Sequence, residues 1–252
     1  MSDLPHSCII TGAAGGIGRA VSLSLAKAGI NLVLTDRNVE QLRLLEKDAA
    51  GLPGRMVGLP GDMLDADLAE KLCDHARDAF GGIDLLINCS GFLEDARVEK
   101  MPVELFRKLI DINLIAPMRL ADAVTPTMRD AGFGRIISLS SRAWLGNFGS
   151  AGYSSAKGGV VGFSRSRALA LAQYGITVNC IAPGFIDTPM ARSLPPHIME
   201  RVLRSIPVGR AGTVDDITSL ILFLASRGSG YITGQTFVAC GGRSIGSPIS
   251  GA

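Results

Sequence analysis

The stretch Thr11-Gly12-Ala13-Ala14-Gly15-Gly16-Ile17-Gly18 decides the fold. It follows a short apolar run, Cys8-Ile9-Ile10-Thr11, and opens a segment of helical periodicity over residues 16–28 that stops at Gly29. Glycines at such a junction let the backbone turn tightly and approach a pyrophosphate. The helix N-terminus then presents free N–H groups and the positive end of its dipole to the phosphates. A glycine-rich run alone is a weak signal; a preceding strand and a following helix give it meaning. The alternative is a tight turn with no ligand. On the first reading Gly12, Ala14, Gly16, Ile17 and Gly18 line a phosphate site.

Outward from this turn, strand-like and helical stretches alternate. Residues 31–35, 55–59, 84–87, 134–139, 176–181 and 235–239 read as strands. Residues 39–50, 66–80, 151–173, 194–205 and 214–225 read as helices, with 102–128 helical in one or two pieces. The strands are near-continuous apolar runs, as strands buried on both faces should be. Strict alternation predicts an α/β fold, a doubly wound parallel sheet with helices on both faces. No linker, repeat or low-complexity block divides the chain, so residues 1–252 are expected to form one domain. The tail, 243–252, is rich in Gly, Ser and Pro and is expected to be loosely ordered alone.

A hydrophobic fraction of 47% with 31 glycines excludes a disordered chain. The net charge of +2 gives no ground for a nucleic-acid or anionic-membrane partner. Cys8, Cys73, Cys89, Cys180 and Cys240 include no CxxC pair and mostly sit in apolar runs. They read as buried reduced thiols, which points to a cytoplasmic compartment. The short polar start leaves no room for a signal peptide. No apolar run reaches the roughly 18 residues of a membrane span. His6, His75 and His197 are scattered without metal-ligand spacing, so no metal is expected.

Asp36 ends the second strand. An acid about 20 residues beyond the glycines can accept hydrogen bonds from the adenosine ribose, and it repels a 2′-phosphate. This favours NAD over NADP, although Arg37 beside it could pair with that phosphate. Asp62-Met63 and Asn88-Cys89-Ser90-Gly91 follow the third and fourth strands, at the edge of the sheet where ligands bind in such folds. Alone, either is ordinary turn chemistry.

Tyr153 and Lys157 are four residues apart at the start of a predicted helix and share one face. A free tyrosine has a pKa of about 10, and a nearby ammonium favours the phenolate. Such a phenol can take a proton from an alcohol or return it to a carbonyl oxygen. Ser140 lies thirteen residues before Tyr153, at the end of the fifth strand, where its hydroxyl could meet the substrate oxygen. Ser141 beside it could begin the turn.

Taken in order, TGxxxGIG, the acid after the second strand, Asn88-x-x-Gly91, Ser140, Tyr153, Lys157 and Pro183-Gly184 resemble the short-chain dehydrogenase/reductase family in its single-domain, Rossmann-like form. The likeness runs from Cys8 to about Gly242. It is strongest to the branch that holds 3-oxoacyl-carrier-protein reductases and many alcohol dehydrogenases. The resemblance implies that Tyr153 is the acid/base, that Lys157 binds the nicotinamide ribose and lowers the tyrosine pKa, and that Ser140 orients the substrate oxygen. It implies that Asn113 supports a water in the proton relay and that Asp62 and Met63 flank the adenine. Asn88 would hold the adenosine side and the central sheet, while Ile186 and Thr188 would hold the nicotinamide carboxamide and phosphate. A homotetramer is the assembly the family favours. Two departures stand out: Asn88-Cys89-Ser90-Gly91 replaces Asn-Asn-Ala-Gly, and Ala239-Cys240-Gly241-Gly242 lacks the usual acid.

The substrate loop is expected over about 185–210, with Arg142 and Trp144 facing it. Trp144 is the single tryptophan; it would wall an apolar pocket or pack under the loop. Arg142 would bind a substrate carboxylate or phosphate, or point to solvent. These readings converge on an NAD-dependent oxidoreductase acting on a secondary alcohol or ketone of largely apolar character. The alternatives are an NADPH-dependent 3-oxoacyl thioester reductase, with an acyl-CoA or carrier-protein substrate, and a catalytically silent dinucleotide-binding subunit.

Overall fold

Seven short runs of branched and apolar residues pair side by side into one parallel sheet in the computed structural model, which describes residues 3–246. The strands are β1 (Ser7–Thr11), β2 (Asn31–Thr35), β3 (Met56–Gly58), β4 (Leu85–Asn88), β5 (Gly134–Leu139), β6 (Ile176–Pro183) and β7 (Thr236–Ala239). Their order across the sheet is 3-2-1-4-5-6-7. Helices α1 (Gly16–Lys27), α2 (Val39–Asp48), α3 (Leu68–Phe80), α4 (Val103–Ile110), α5 (Ala116–Ala131) and α6 (Ala151–Leu171) connect the first six strands. Helices α7 (Pro189–Arg192), α8 (Pro196–Arg204) and α9 (Val214–Ala225) lie between β6 and β7.

Side chains alternate across a strand, and here both faces are covered. Ile10, Leu34, Ile87 and Ile181 face one core with α1, α2 and α9. Ile9, Val33, Leu86 and Val178 face the other with α3, α5 and α6. This two-sided burial is why the strands read as continuous apolar runs. The strand order reverses between β1 and β4, and the carboxyl ends beside that switch open the crevice where such sheets bind ligands.

One stretch settles an open expectation and another departs from its expected bounds. The 102–128 region is one rod: α4 runs into a π-helical turn, Asp111–Ile115, and then into α5. Periodicity alone does not register one extra residue in a turn. The 194–205 helix starts two residues later than expected, at Pro196, and a short unexpected helix precedes it. A proline lacks a donor and pushes the residue before it out of the helical region, so α7 ends at Arg192 and α8 restarts with Pro196 in its first turn. The start of the expected loose tail, 243–245, belongs to a turn over 241–245 in which Cys240 Sγ accepts the Ser244 N–H at 3.3 Å. Residues 247–252 lie outside the described residues. The five cysteines are free thiols; four are buried and Cys89 is half-buried. No helix among the described residues is long and apolar enough to cross a membrane.

Candidate active site

The turn after β1 is built by close backbone approach. Gly12 has φ +63°, and a Cβ there would lie 2.7 Å from Ser90 Cα. A Cβ on Gly18 would lie 2.1 Å from the Gly12 carbonyl oxygen, so only glycine lets α1 start where it does. Gly15 caps α1 without a side-chain bond, and the first turn holds no acid. The N–H groups at this exposed end are therefore offered to an anion. Gly16 faces Thr188, whose Cβ would be 3.0 Å from an added Cβ. The segment after β6 thus closes over the phosphate cradle. Ile17 packs against the core on the α1 side. These features fit a dinucleotide pyrophosphate.

Thr11 holds this region together. Its hydroxyl donates to Ser90 Oγ at 3.0 Å and accepts the N–H groups of Cys89 and Ser90 at 3.2 and 3.1 Å. Sequence reasoning passed over this residue; the signal was a threonine paired opposite Asn88 in the β1–β4 register. Asn88 is buried and donates to Ser138 Oγ at 3.2 Å, so its side chain serves the sheet. Asp36 Oδ2 accepts the Ala14 N–H at 3.1 Å and Oδ1 accepts that of Asn38 at 3.0 Å, which fixes the carboxylate beside the glycine turn. Arg37 is exposed. Asp62 accepts the Leu64 N–H at 3.0 Å, and Met63 packs on the α3 side of the sheet. Gly61 N donates to Asp36 O at 3.2 Å, which brings the Asp62–Met63 turn to the same edge. Ile186 is buried in the core, and Thr188 Oγ1 accepts the Ala191 N–H at 3.3 Å.

The chemical groups meet at the other side of the switch. Lys157 is buried, and its Nζ donates to Leu139 O at 2.8 Å and lies 5.6 Å from the Tyr153 ring centroid. Asn113 sits in the π-helical turn. It donates to Phe92 O and Leu109 O at 2.8 and 2.9 Å and accepts the Phe92 N–H at 3.1 Å. A Cβ on Gly91 would meet both Asn113 Oδ1, at 3.3 Å, and Lys157 Nζ, at 3.7 Å. Asn113, Lys157 and Tyr153 are therefore one cluster.

Ser140 does not face that cluster with its hydroxyl. It is buried and donates to the Lys157 carbonyl at 2.9 Å, pinning β5 to α6. Ser141 is the serine whose hydroxyl favours the Tyr153 phenolate, and it also accepts the Ala143 N–H at 3.1 Å. The count of thirteen residues back from Tyr153 selects Ser140, whose hydroxyl is engaged by the Lys157 carbonyl, while the adjacent Ser141 acts on the phenol. Successive side chains leaving a strand point to opposite sides.

Burial pushes the Tyr153 phenol above its usual value; the Ser141 hydrogen bond opposes this, and the charges of Asp95 and Cys89 add to it. Burial pulls Lys157 itself down to about 8, against the opposing pull of Cys89 and Cys180. Trp144 is half-buried and packs against the Val160–Val161–Cys180 cluster. Arg142 is half-buried beside Ser141. A cavity of about 260 Å3 lies under the 185–212 segment, lined by Phe185, Ile206, Val208 and Cys240 among others, and not by Ser141, Tyr153 or Lys157.

A family model described as enoyl-(acyl carrier protein) reductase matches residues 12–244. The chain is 38% identical over 237 residues to the hydroxy(phenyl)methylsuccinyl-CoA dehydrogenase subunit BbsD of Thauera aromatica, covering 94% of this chain and 96% of that one. It is 38% identical over 236 residues to the 3-oxoacyl-(acyl-carrier-protein) reductase of Thermotoga maritima, covering 93% and 96%. A putative short-chain alcohol dehydrogenase from Sinorhizobium meliloti superposes with a TM-score of 0.91 at 30% identity, covering 96% and 98%. With the sheet order, the glycine cradle and the Tyr153–Lys157 pair, these likenesses establish that the chain belongs to the short-chain dehydrogenase/reductase family, oxidoreductases that use a nicotinamide cofactor on CH–OH and keto groups.

Proposed function

We propose that this protein interconverts a 3-hydroxyacyl and a 3-oxoacyl thioester, with NAD as the hydride carrier. The observation that carries the chemistry is the convergence of Ser141, Tyr153 and Lys157 beside the glycine cradle. When bound, the nicotinamide supplies or takes the hydride. Tyr153 Oη takes the proton from the alcohol oxygen in the oxidising direction and returns it to the carbonyl oxygen in the reverse. Ser141, rather than Ser140, donates a hydrogen bond to that oxygen. Lys157 reaches the ribose and places a positive charge near the phenol. Asn113 holds Phe92 and the π-helical turn in place, which supports a water on the proton path.

Two relatives favour a thioester over a free alcohol. One is named for a secondary alcohol on a succinyl-CoA and the other for a 3-oxoacyl group on a carrier protein. NAD is favoured by Asp36, whose carboxylate is fixed beside the glycine turn and would repel a 2′-phosphate. The NADPH-dependent reductase is the second reading, supported by the 3-oxoacyl reductase relatives and by the freely exposed Arg37. In this reading residues 1–252 act as one catalytic domain, in the cytoplasm, as a homotetramer.

Initial rates with NAD and NADP on 3-hydroxyacyl-CoA esters and free secondary alcohols test it. We expect turnover of the thioesters with NAD. Turnover confined to free alcohols overturns the substrate class, and preference for NADP overturns the cofactor assignment.

A further inference from the structure

We infer that Arg142 and Arg243 form an anion subsite that takes a carboxylate on the acyl part of the substrate. The inference rests on the thioester reading above and names a feature of that substrate.

The two arginines come from distant parts of the chain to one edge of the sheet. Arg142 begins the 3-10 turn Arg142–Leu145, directly after Ser141. Arg243 sits in the turn that follows β7, where its N–H donates to Cys240 O at 3.2 Å. The end of β6 lies between them, bonded on one side through Ser140 N to Ile181 O and on the other through Gly184 N to Ala239 O, each at 2.8 Å.

Both guanidiniums are half-buried. The other arginines that are at least half-buried have protein partners: Arg19 with Asp48, Arg135 with the Ser226 and Gly134 carbonyls, and Arg167 with Asp122. Among the described residues, Arg142 and Arg243 alone are sheltered in this way with no side-chain hydrogen bond or ion pair. The nearby loop acids do not serve them, since Asp187 is taken by Arg192 and Asp216 by Arg210. Burial pulls the Arg243 guanidinium below its ordinary range, the charge of Arg142 adds to this, and Cys240 opposes it. Two like charges held within reach of each other are relieved by an anion between them. The planar fork of a guanidinium suits a carboxylate or phosphate bidentately.

The anion has two possible sources, a carboxylate on the acyl chain or a phosphate of coenzyme A. Arg142 is the chain neighbour of Ser141, whose hydroxyl favours the Tyr153 phenolate. The subsite therefore lies close to the reacting carbon, whereas the nucleotide phosphates lie at the far end of the pantetheine arm. This places the acyl carboxylate there.

The test compares 3-hydroxyadipyl-CoA with 3-hydroxyhexanoyl-CoA, which differ in a terminal carboxylate against a methyl. Their dephospho-CoA counterparts form a second arm. In Arg142→Gln and in Arg243→Gln the preference for the carboxylate substrate, as a ratio of kcat/KM values, should fall about tenfold, the loss of one charge-assisted contact. The double variant should lose little more than either single one. An unchanged ratio overturns the inference. So does a loss that follows the coenzyme A phosphate instead of the acyl carboxylate. A turnover-independent readout is the fluorescence of Trp144, the single tryptophan, titrated with glutarate. Saturable binding weakened about tenfold in both variants supports the subsite even where no thioester is turned over. Identical titrations in parent and variants overturn it.

Discussion

The two ends of this sheet recognise their ligands by different means. Around β1, β2 and β4 the site is made of backbone: glycine contacts too close for a Cβ, free helix N–H groups, and a threonine stapling two strands. Around β5, β6 and β7 it is made of side chains: a serine, a buried lysine, exposed ion pairs and a loop over a cavity. Backbone recognition tolerates almost no change at a few positions. Side-chain recognition leaves the fold intact when altered and changes what is bound or how fast it reacts.

The strongest way to break the backbone half is Gly18→Ala. The added Cβ would stand 2.1 Å from the Gly12 carbonyl oxygen, against main chain that has nowhere to go. We expect a loss of about 3 kcal/mol of stability, read by denaturant unfolding, together with loss of NAD binding by titration. Gly146→Ala in the other half meets open space, and its cost should be confined to its positive φ.

Next in size is the serine pair. Ser141→Ala should lower kcat about 100-fold by removing a donor aimed at the reacting oxygen. Ser140→Ala should keep turnover and cost about 1 kcal/mol of stability, the worth of its bond to Lys157 O. The reverse pattern would restore Ser140 to the catalytic role.

The smallest effect sharpens the comparison. Lys157 is held at about 8 inside the fold, while the unfolded chain keeps a lysine near its usual 10.4 or so. Below about 8 the fold carries a buried charge and bears its full penalty. Between the two values the unfolded chain binds more protons, so the parent gains stability as pH rises. Lys157→Met should therefore abolish turnover yet stabilise the protein at pH 7 by about 1–2 kcal/mol, offset in part by the lost bond to Leu139 O. That advantage should shrink through the alkaline range in thermal melts. A destabilised variant at pH 7 would show that the hydrogen bond outweighs the burial of charge.

The same division explains what the sequence made legible. The glycine turn, Asp36 and the parallel sheet follow from local pattern, because backbone constraints act between near neighbours. Tyr153 and Lys157 share a helix, so their spacing fixes their face. The choice between Ser140 and Ser141 depends on which way a strand end is turned toward α6, and a residue count carries no such information. The later start of α8 was written in Pro195 and Pro196, which the periodicity over 194–205 does not register. The role of Trp144 needed the position of Val160 and Val161, and the pairing of Arg142 with Arg243 needed the sheet order itself.

The π-helical turn Asp111–Ile115 sets the phase of everything before it. Each residue of an α-helix advances the chain by about 100° of rotation. The wider turn acts as an inserted residue that resets the angular bookkeeping between α4 and α5. Leu109 and Phe106 now project onto Gly152 of α6, where a Cβ would come within 2.8 and 3.3 Å of them. Deleting one residue from the turn would swing that face of α4 away by about 100° and carry Leu109 off Gly152. The helix that delivers Asn113 and the helix that delivers Tyr153 are thus kept in gear by a single irregularity. Away from Asn113 and the residues that meet Gly152, the composition of this rod is less constrained than its length.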